Sequence, residues 1–191
     1  MDRIELNRLS KLRFVDPRLV LPPLEQLRGV IAAQTDIDPN VRNLRTHELK
    51  RMRELWAACI FACGISEFLQ ANVFVADDET SDYDFVCGWA AGDTSNFCPV
   101  QLKEIVPTEL NLKSNLQAVI DGIAERKSYK GRSIAIKLTR ECLFDPDQLD
   151  LSGLDIESLW VFGAISPDQK EWAIWGDLLR SRSGLCFNLP S

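Results

Sequence analysis

The chain has 191 residues, of which 46% are hydrophobic and 26% are charged. This balance is typical of one globular domain with a sizeable core, and it excludes a disordered chain, a collagen-like repeat and a disulfide miniprotein. The net charge of −6 argues against a general nucleic-acid coat, although a local basic patch is compatible with it.

The targeting and redox signals predict a cytoplasmic protein without membrane contact. No apolar run approaches the roughly 18 residues of a membrane helix, and the N-terminus carries charges where a signal peptide needs an apolar stretch. The six cysteines contain no CxxC pair, so we expect reduced thiols. Because His47 is the only histidine, a zinc site and a Ser–His–Asp triad are both disfavoured.

We predict a single domain that spans 1–191. Its residues 1–45 form a helical N-terminal segment that precedes the core. In DPRLVLPPLEQLRGVIAAQ a short amphipathic pattern follows the prolines, and Asp38-Pro39 is a typical helix start. We divide the rest of the chain into a core, 46–140, and a C-terminal hairpin extension, 141–191.

Within the core, apolar spacing predicts a long helix from Thr46 to Gln70. Three strands follow, in ANVFV, YDFVCGW and FCPVQLKEIV. The next helix carries one apolar stripe, made by Leu112, Leu116, Val119, Ile120 and Ile123. RSIAIKLTR alternates as a half-buried strand does, and SLWVFGAI and EWAIWGDL flank SPDQK as a hairpin. The order predicts an α/β fold with a mixed sheet, with α+β as the alternative.

Polar residues interrupt two of the predicted strands. Asp84 precedes Phe85 and Val86, and Gln101 and Lys103 are separated by one leucine. Gln101 and Lys103 therefore point to one face of their strand. A carboxylate and an amide oxygen suit Mg²⁺, and a lysine ammonium beside them suits holding a water or stabilising charge on a phosphate.

With these residues and this element order, 46–140 resembles the PD-(D/E)XK restriction-endonuclease-like superfamily. The resemblance implies a helix–three strands–helix–strand core that cuts DNA by water attack with Mg²⁺ or Mn²⁺. It implies that Asp84 and Gln101 bind the metal and that Lys103 assists the nucleophile. An acidic residue of the preceding helix often joins such a site. Glu54 is our first candidate here, followed by Glu48 and Glu67.

The sequence departs from the commonest family pattern at two positions. Gln101 replaces an acidic residue, which resembles the QxK form of Mrr-type nucleases and removes one negative charge from the metal site. Tyr83, rather than a proline, precedes Asp84.

Basic residues cluster in AERKSYKGRS, between the second core helix and the last core strand. They are Arg126, Lys127, Lys130 and Arg132, with Tyr129 between them. Lysine and arginine neutralise phosphates without reading sequence, so we predict nucleic-acid contacts here, with a solvated loop as the alternative.

The acidic run formed by Asp77, Asp78, Glu79 and Asp82 lacks the spacing of a calcium loop and predicts a solvated turn.

Two functions remain open from the sequence. The first is a metal-dependent DNA endonuclease, or a nuclease-like subunit, of bacterial defence or repair. DNA would be its substrate, delivered by a protein partner if the acidic chain binds it weakly, and the resemblance also implies a homodimer or a subunit of a larger complex. The second is a non-catalytic interaction protein of the same fold, such as an immunity or accessory protein.

Overall fold

The computed structural model describes residues 3–42, 46–78, 82–105, 115–139 and 142–190. The chain forms two compact units, 1–97 with 189–191, and 98–188. Seven strands form one mixed sheet in which the strand order follows the chain, β1 to β7. No helix of the described segments is long and apolar enough to cross a membrane.

The first unit begins with helices α1 (Arg3–Leu9), α2 (Pro17–Ala32) and α3 (Pro39–Arg42). We expected the helix to begin after Pro22 and Pro23, but α2 starts at Pro17 and runs through both. The Asp16 side chain caps this start by accepting a hydrogen bond from the Arg18 amide at 2.9 Å. Asp38 caps α3 as expected, through the Asn40 amide at 2.7 Å.

The long predicted helix is α4 (His47–Leu69), which ends at Gln70 in the left-handed conformation, with φ of 50°. The Arg28 guanidinium on α2 lies 3.6 Å from the ring centroid of Trp56 on α4. The Trp56 indole N–H also donates to Glu25, which pairs with Arg28 at 3.0 Å. This cluster fixes α2 against α4.

Strands β1 (Val73–Ala76) and β2 (Phe85–Ala91) pair antiparallel, with Val73 opposite Trp89. Strand β3 (Thr94–Ile105) follows β2 after a tight turn, where Gly92 has a φ of 59°. A side chain is strained at that angle, so the turn requires glycine or a tolerant substitute. β3 begins in the first unit and continues into the second.

The second unit contains α5 (Leu116–Ala124), β4 (Ser133–Leu138), β5 (Ser158–Ala164), β6 (Glu171–Trp175) and β7 (Gly184–Asn188). Strands β3, β4 and β5 are parallel, and β6 and β7 continue the sheet antiparallel. The predicted hairpin is therefore confirmed as β5 and β6, whereas β7 was not predicted. Two short 3₁₀ helices cover Lys127–Tyr129 and Pro146–Gln148.

The core of this unit lies between α5 and one face of the parallel strands. Its central residues are Ile105, Leu116, Ile120, Ile123, Ile134, Ile136 and Val161. The apolar stripe predicted for α5 is confirmed from Leu116 onward, and Leu112 lies outside the described residues. The half-buried interpretation of β4 is wrong, because all six residues of Ser133–Leu138 are buried.

Taken in chain order, the elements from α4 to β4 are a helix, three strands, a helix and a strand, as predicted. The fold is mixed α and β, and its restriction-endonuclease-like identity stays a prediction. All six cysteines are free, as expected, although only Cys59, Cys63 and Cys87 are fully buried.

Candidate active site

A small pocket in the first unit brings together two of the predicted site residues. Glu54, on the second turn of α4, and Asp84, directly before β2, both line it. Asp77 and Arg51 complete its polar wall. The apolar wall is formed by Leu55, Ala58, Val75 and Phe85. The space between these side chains measures about 260 Å³ when the open solvent at its mouth is included.

The position of Glu54 on α4 explains why it, of the three candidate glutamates, reaches the pocket. Glu67 is exposed, and it lies 13 residues further along the helix, which corresponds to roughly 20 Å at 1.5 Å per residue. The side chain of Glu48 is outside the described residues. Our first choice among the helical glutamates therefore shares a pocket with Asp84.

The pocket places negative charge in a partly desolvated setting. Burial, and next the charge of Asp84, raise the pKa of Glu54 above its usual range. Lys50 acts in the opposite direction, since its Nζ lies 3.3 Å from Glu54 Oε1. Arg51 instead pairs with Asp77, at 2.6 Å between Nε and Oδ2. A divalent cation beside Glu54 would offset the cost of keeping that carboxylate charged.

The donor set fits Mg²⁺ or Mn²⁺ in part. Among the described residues, no group of three or more His, Cys, Asp or Glu side chains is arranged to hold a metal ion. Mg²⁺, however, commonly binds through one or two carboxylates and completes its octahedron with water and substrate phosphates. Glu54 and Asp84 are two such carboxylates.

Gln101 and Lys103 lie on β3 in the second unit, where both are half-buried. They face the same side of the strand as Ile105, which belongs to the core under α5. The Lys103 Nζ lies 4.7 Å from the ring centroid of Tyr129. The Tyr129 hydroxyl also accepts a hydrogen bond from Arg126 Nη1 at 3.4 Å.

The four predicted nucleic-acid contacts occupy different settings. Arg126 is exposed and approaches Tyr129, and Lys127 is exposed. Lys130 Nζ forms an ion pair with Asp155 Oδ2 at 2.6 Å. Arg132 donates from Nε to the Ser128 carbonyl oxygen at 3.0 Å. The basic segment therefore contains one ion-paired lysine and one arginine engaged with the backbone.

The acidic run was predicted as a solvated turn, and this is wrong for Asp78. Its side chain is 3% exposed, and it accepts from the Arg8 guanidinium and from the Tyr83 hydroxyl. Asp82 is exposed as expected, and Glu79 lies outside the described residues.

Sequence reasoning missed a second buried charge pair. Lys137 Nζ on β4 lies 3.4 Å from Glu104 Oε1 on β3, and the Lys137 side chain is only 6% exposed. The parallel register pairs the two residues directly. The alternation in IAIKL places Lys137 on a solvent face, so local sequence offers no signal for its burial.

Comparison with family models, with curated proteins and with solved structures gives no match to this chain.

Proposed function

We propose that the protein is a metal-dependent DNA endonuclease, or a nuclease-like subunit, that hydrolyses phosphodiester bonds. The observation that carries this proposal is the shared pocket of Glu54 and Asp84, in which burial and the neighbouring carboxylate raise the pKa of Glu54. A carboxyl group with a perturbed pKa beside a second carboxylate is typical of hydrolytic metal sites. The resemblance to the PD-(D/E)XK superfamily supports the same chemistry.

In this proposal, the carboxylate oxygens of Glu54 and Asp84 hold the cation. When bound, Mg²⁺ or Mn²⁺ supplies a hydroxide at neutral pH and neutralises charge on the phosphate. Lys50 shields Glu54 until the cation binds, because it pairs with that carboxylate. Arg51 pairs with Asp77, the third carboxylate of the pocket. From the resemblance, Gln101 adds an amide oxygen and Lys103 a positive charge to the reaction.

The test is a cleavage assay on supercoiled plasmid, linear duplex and single-stranded DNA, each with Mg²⁺, Mn²⁺ or EDTA. The assay is run at low salt, because salt weakens the attraction between basic side chains and DNA phosphates and the chain as a whole is acidic. We expect metal-dependent cutting. Its rate should fall by about 100-fold or more in Glu54→Gln and Asp84→Asn, because losing a direct metal ligand should cost at least as much as losing a residue that only supports a ligand, which costs about 10- to 100-fold. Glu67→Gln, exposed on the same helix, is the matched control and should cut as the parent does.

Metal binding is measured separately by following the melting temperature during titration with MnCl₂. The parent and Glu67→Gln should be stabilised, whereas Glu54→Gln and Asp84→Asn should not respond. Lys103→Ala should abolish cutting and keep the Mn²⁺ response, and Gln101→Glu should be tolerated. A folded parent that neither cuts DNA nor responds to Mn²⁺ would contradict the proposal.

A second candidate function is a non-catalytic interaction protein. Helix α2 exposes three apolar side chains that fall on one side of the helix, and they are Leu19 (76% exposed), Leu27 (45%) and Val30 (55%). Exposed apolar stripes often mark docking surfaces. The cleavage and Mn²⁺ experiments distinguish the two functions, since an interaction protein needs neither response.

A further inference from the structure

Two cationic side chains converge on one phenol in the second unit. Lys103 on β3 places its ammonium 4.7 Å from the ring centroid of Tyr129, and Arg126 Nη1 lies 3.4 Å from the Tyr129 hydroxyl oxygen. Burial acts to raise the pKa of Tyr129, but hydrogen bonds and positive charge from Lys103 and Arg126 outweigh it and lower the pKa. The hydroxyl therefore lies in a locally positive field.

Neither cation has an acidic partner within 4.0 Å in the part of the chain that the structure describes. Other cations of this unit do have one: Lys130 pairs with Asp155, and Arg180 pairs with Glu157 at 2.8 Å. Two positive groups that approach one neutral side chain repel each other, and an anion between them relieves that repulsion. The cluster therefore has the charge of an anion site.

The segment that carries Arg126 and Tyr129 is held in place by backbone hydrogen bonds. The Tyr129 amide donates to the Arg126 carbonyl at 3.1 Å, and the Arg132 amide donates to the Tyr129 carbonyl at 3.0 Å. The Gly131 amide donates to the Asp155 carbonyl at 2.9 Å. The Tyr129 side chain is packed in the core under α5, with 7% of the residue exposed. Since this backbone and the Tyr129 ring are already ordered, binding a ligand does not have to order them.

We propose that Lys103, Arg126 and the Tyr129 hydroxyl form a binding site for a phosphate oxyanion. A guanidinium, an ammonium and a hydroxyl are all donors to phosphate oxygens, and the exposed Arg126 gives the ligand access. This deepens the proposed nuclease function and rests on it for the ligand, which is the phosphodiester of a nucleic-acid backbone. Free inorganic phosphate has the same chemistry and is the other source. In this site Lys103 neutralises charge on the bound phosphate, whereas the family resemblance implies that it assists the attacking water.

The test measures binding without cutting. A fluorescein-labelled duplex oligonucleotide is titrated with protein in EDTA, over a series of KCl concentrations, and anisotropy is recorded. The variants are Lys103→Gln, Arg126→Gln and Tyr129→Phe, which removes only the hydroxyl. The control is Lys170→Gln, an exposed lysine of the same unit that lies outside the basic segment. Circular dichroism checks that each variant is folded, and Arg126→Gln and Tyr129→Phe keep the test valid if Lys103→Gln unfolds.

We expect affinity to fall several-fold in Lys103→Gln and Arg126→Gln, and the slope of log K against log salt to decrease in magnitude by about 0.9 for each lost contact. Tyr129→Phe should weaken binding without changing the slope, and Lys170→Gln should change neither. Unchanged affinity and slope in the folded Lys103 and Arg126 variants would overturn the site.

Competition by inorganic phosphate distinguishes the two sources. If millimolar phosphate displaces the oligonucleotide from the parent and stabilises the parent but not Arg126→Gln against heat, the site accepts the free anion. If only oligonucleotide binding depends on the three residues, the ligand is the backbone diester. The binding assay contains no metal, so its result does not depend on cutting. A parent that binds through these residues in EDTA but does not cut DNA in the cleavage assay with Mg²⁺ or Mn²⁺ would refute the nuclease and leave the oxyanion site standing.

Discussion

The Arg8 guanidinium on α1 forms an ion pair with the Asp78 carboxylate, 70 residues further along the chain. Arg8 also donates to the Tyr83 hydroxyl, which itself donates to Asp78 at 3.3 Å. Asp78 follows the pocket residue Asp77, and Tyr83 precedes the pocket residue Asp84. One arginine thus holds both positions that flank the pocket carboxylates.

Replacing Arg8 by methionine should reduce the free energy of unfolding by about 1–3 kcal/mol, because the nearly buried Asp78 then loses the Arg8 guanidinium and keeps the weaker, neutral donor Tyr83. Urea denaturation measures this. Arg180→Met is the control: Asp177 loses Arg180 but keeps hydrogen bonds from the Leu159 and Leu179 amides, so it should lose less stability. Equal losses in the two variants would contradict a special role for the Arg8 pair.

The raised pKa of Glu54 predicts how stability depends on pH in EDTA. A carboxyl whose pKa is higher in the folded than in the unfolded state stabilises the fold below the unfolded value of about 4.3, and this contribution is lost as pH rises through the folded value. Glu54→Gln should therefore be more stable than the parent at neutral pH, and the difference should shrink toward pH 4. Melting temperatures between pH 4 and pH 8 measure it. Glu67→Gln controls for the loss of one carboxylate charge.

The cysteines should differ sharply in reactivity. Burial raises the pKa of Cys59 to about 12 and that of Cys63 to about 11, whereas Cys186 is exposed. Since the thiolate is the reactive form, the native protein should react with Ellman's reagent at Cys186 well before Cys59 or Cys63. Cys186→Ser should remove the fastest phase, and denaturant should expose the slow thiols. Fast labelling of Cys59 in the native protein would show that α4 opens.

Two glycines of the second unit should respond oppositely to alanine. A Cβ on Gly163 in β5 would lie 2.9 Å from the Leu138 Cβ, so Gly163→Ala should cost about 1–3 kcal/mol through overpacking. A Cβ on Gly122 in α5 meets no atom within 4 Å, so Gly122→Ala should stabilise the helix by about 0.5–1 kcal/mol. Urea denaturation of both variants tests this, and destabilisation by Gly122→Ala would contradict the open space there.

Local patterns were sufficient for most of the secondary structure. Apolar periodicity predicted α4, α5 and the strands that surround them, and Asp38 was identified as a cap from its place before a proline. The predicted start of α2 after Pro22 and Pro23 is wrong, because the Asp16 cap and the burial of Leu21 outweigh the helix-breaking tendency of the two prolines. Tertiary packing of α2 therefore overrides the low helix propensity of its internal prolines.

By itself, the sequence determined the element order and a short list of polar residues that suit metal-dependent hydrolysis, because periodicity and capping act over a few neighbouring residues. Only the tertiary structure selected Glu54 to share a pocket with Asp84, buried Lys137 beside Glu104, and brought Lys103 and Arg126 to the Tyr129 side chain. Except for the short step from Arg126 to Tyr129, these relationships join residues 26 to 33 positions apart. The fold brings them together because burying apolar surface places their strands and helices side by side, and no local pattern carries that information.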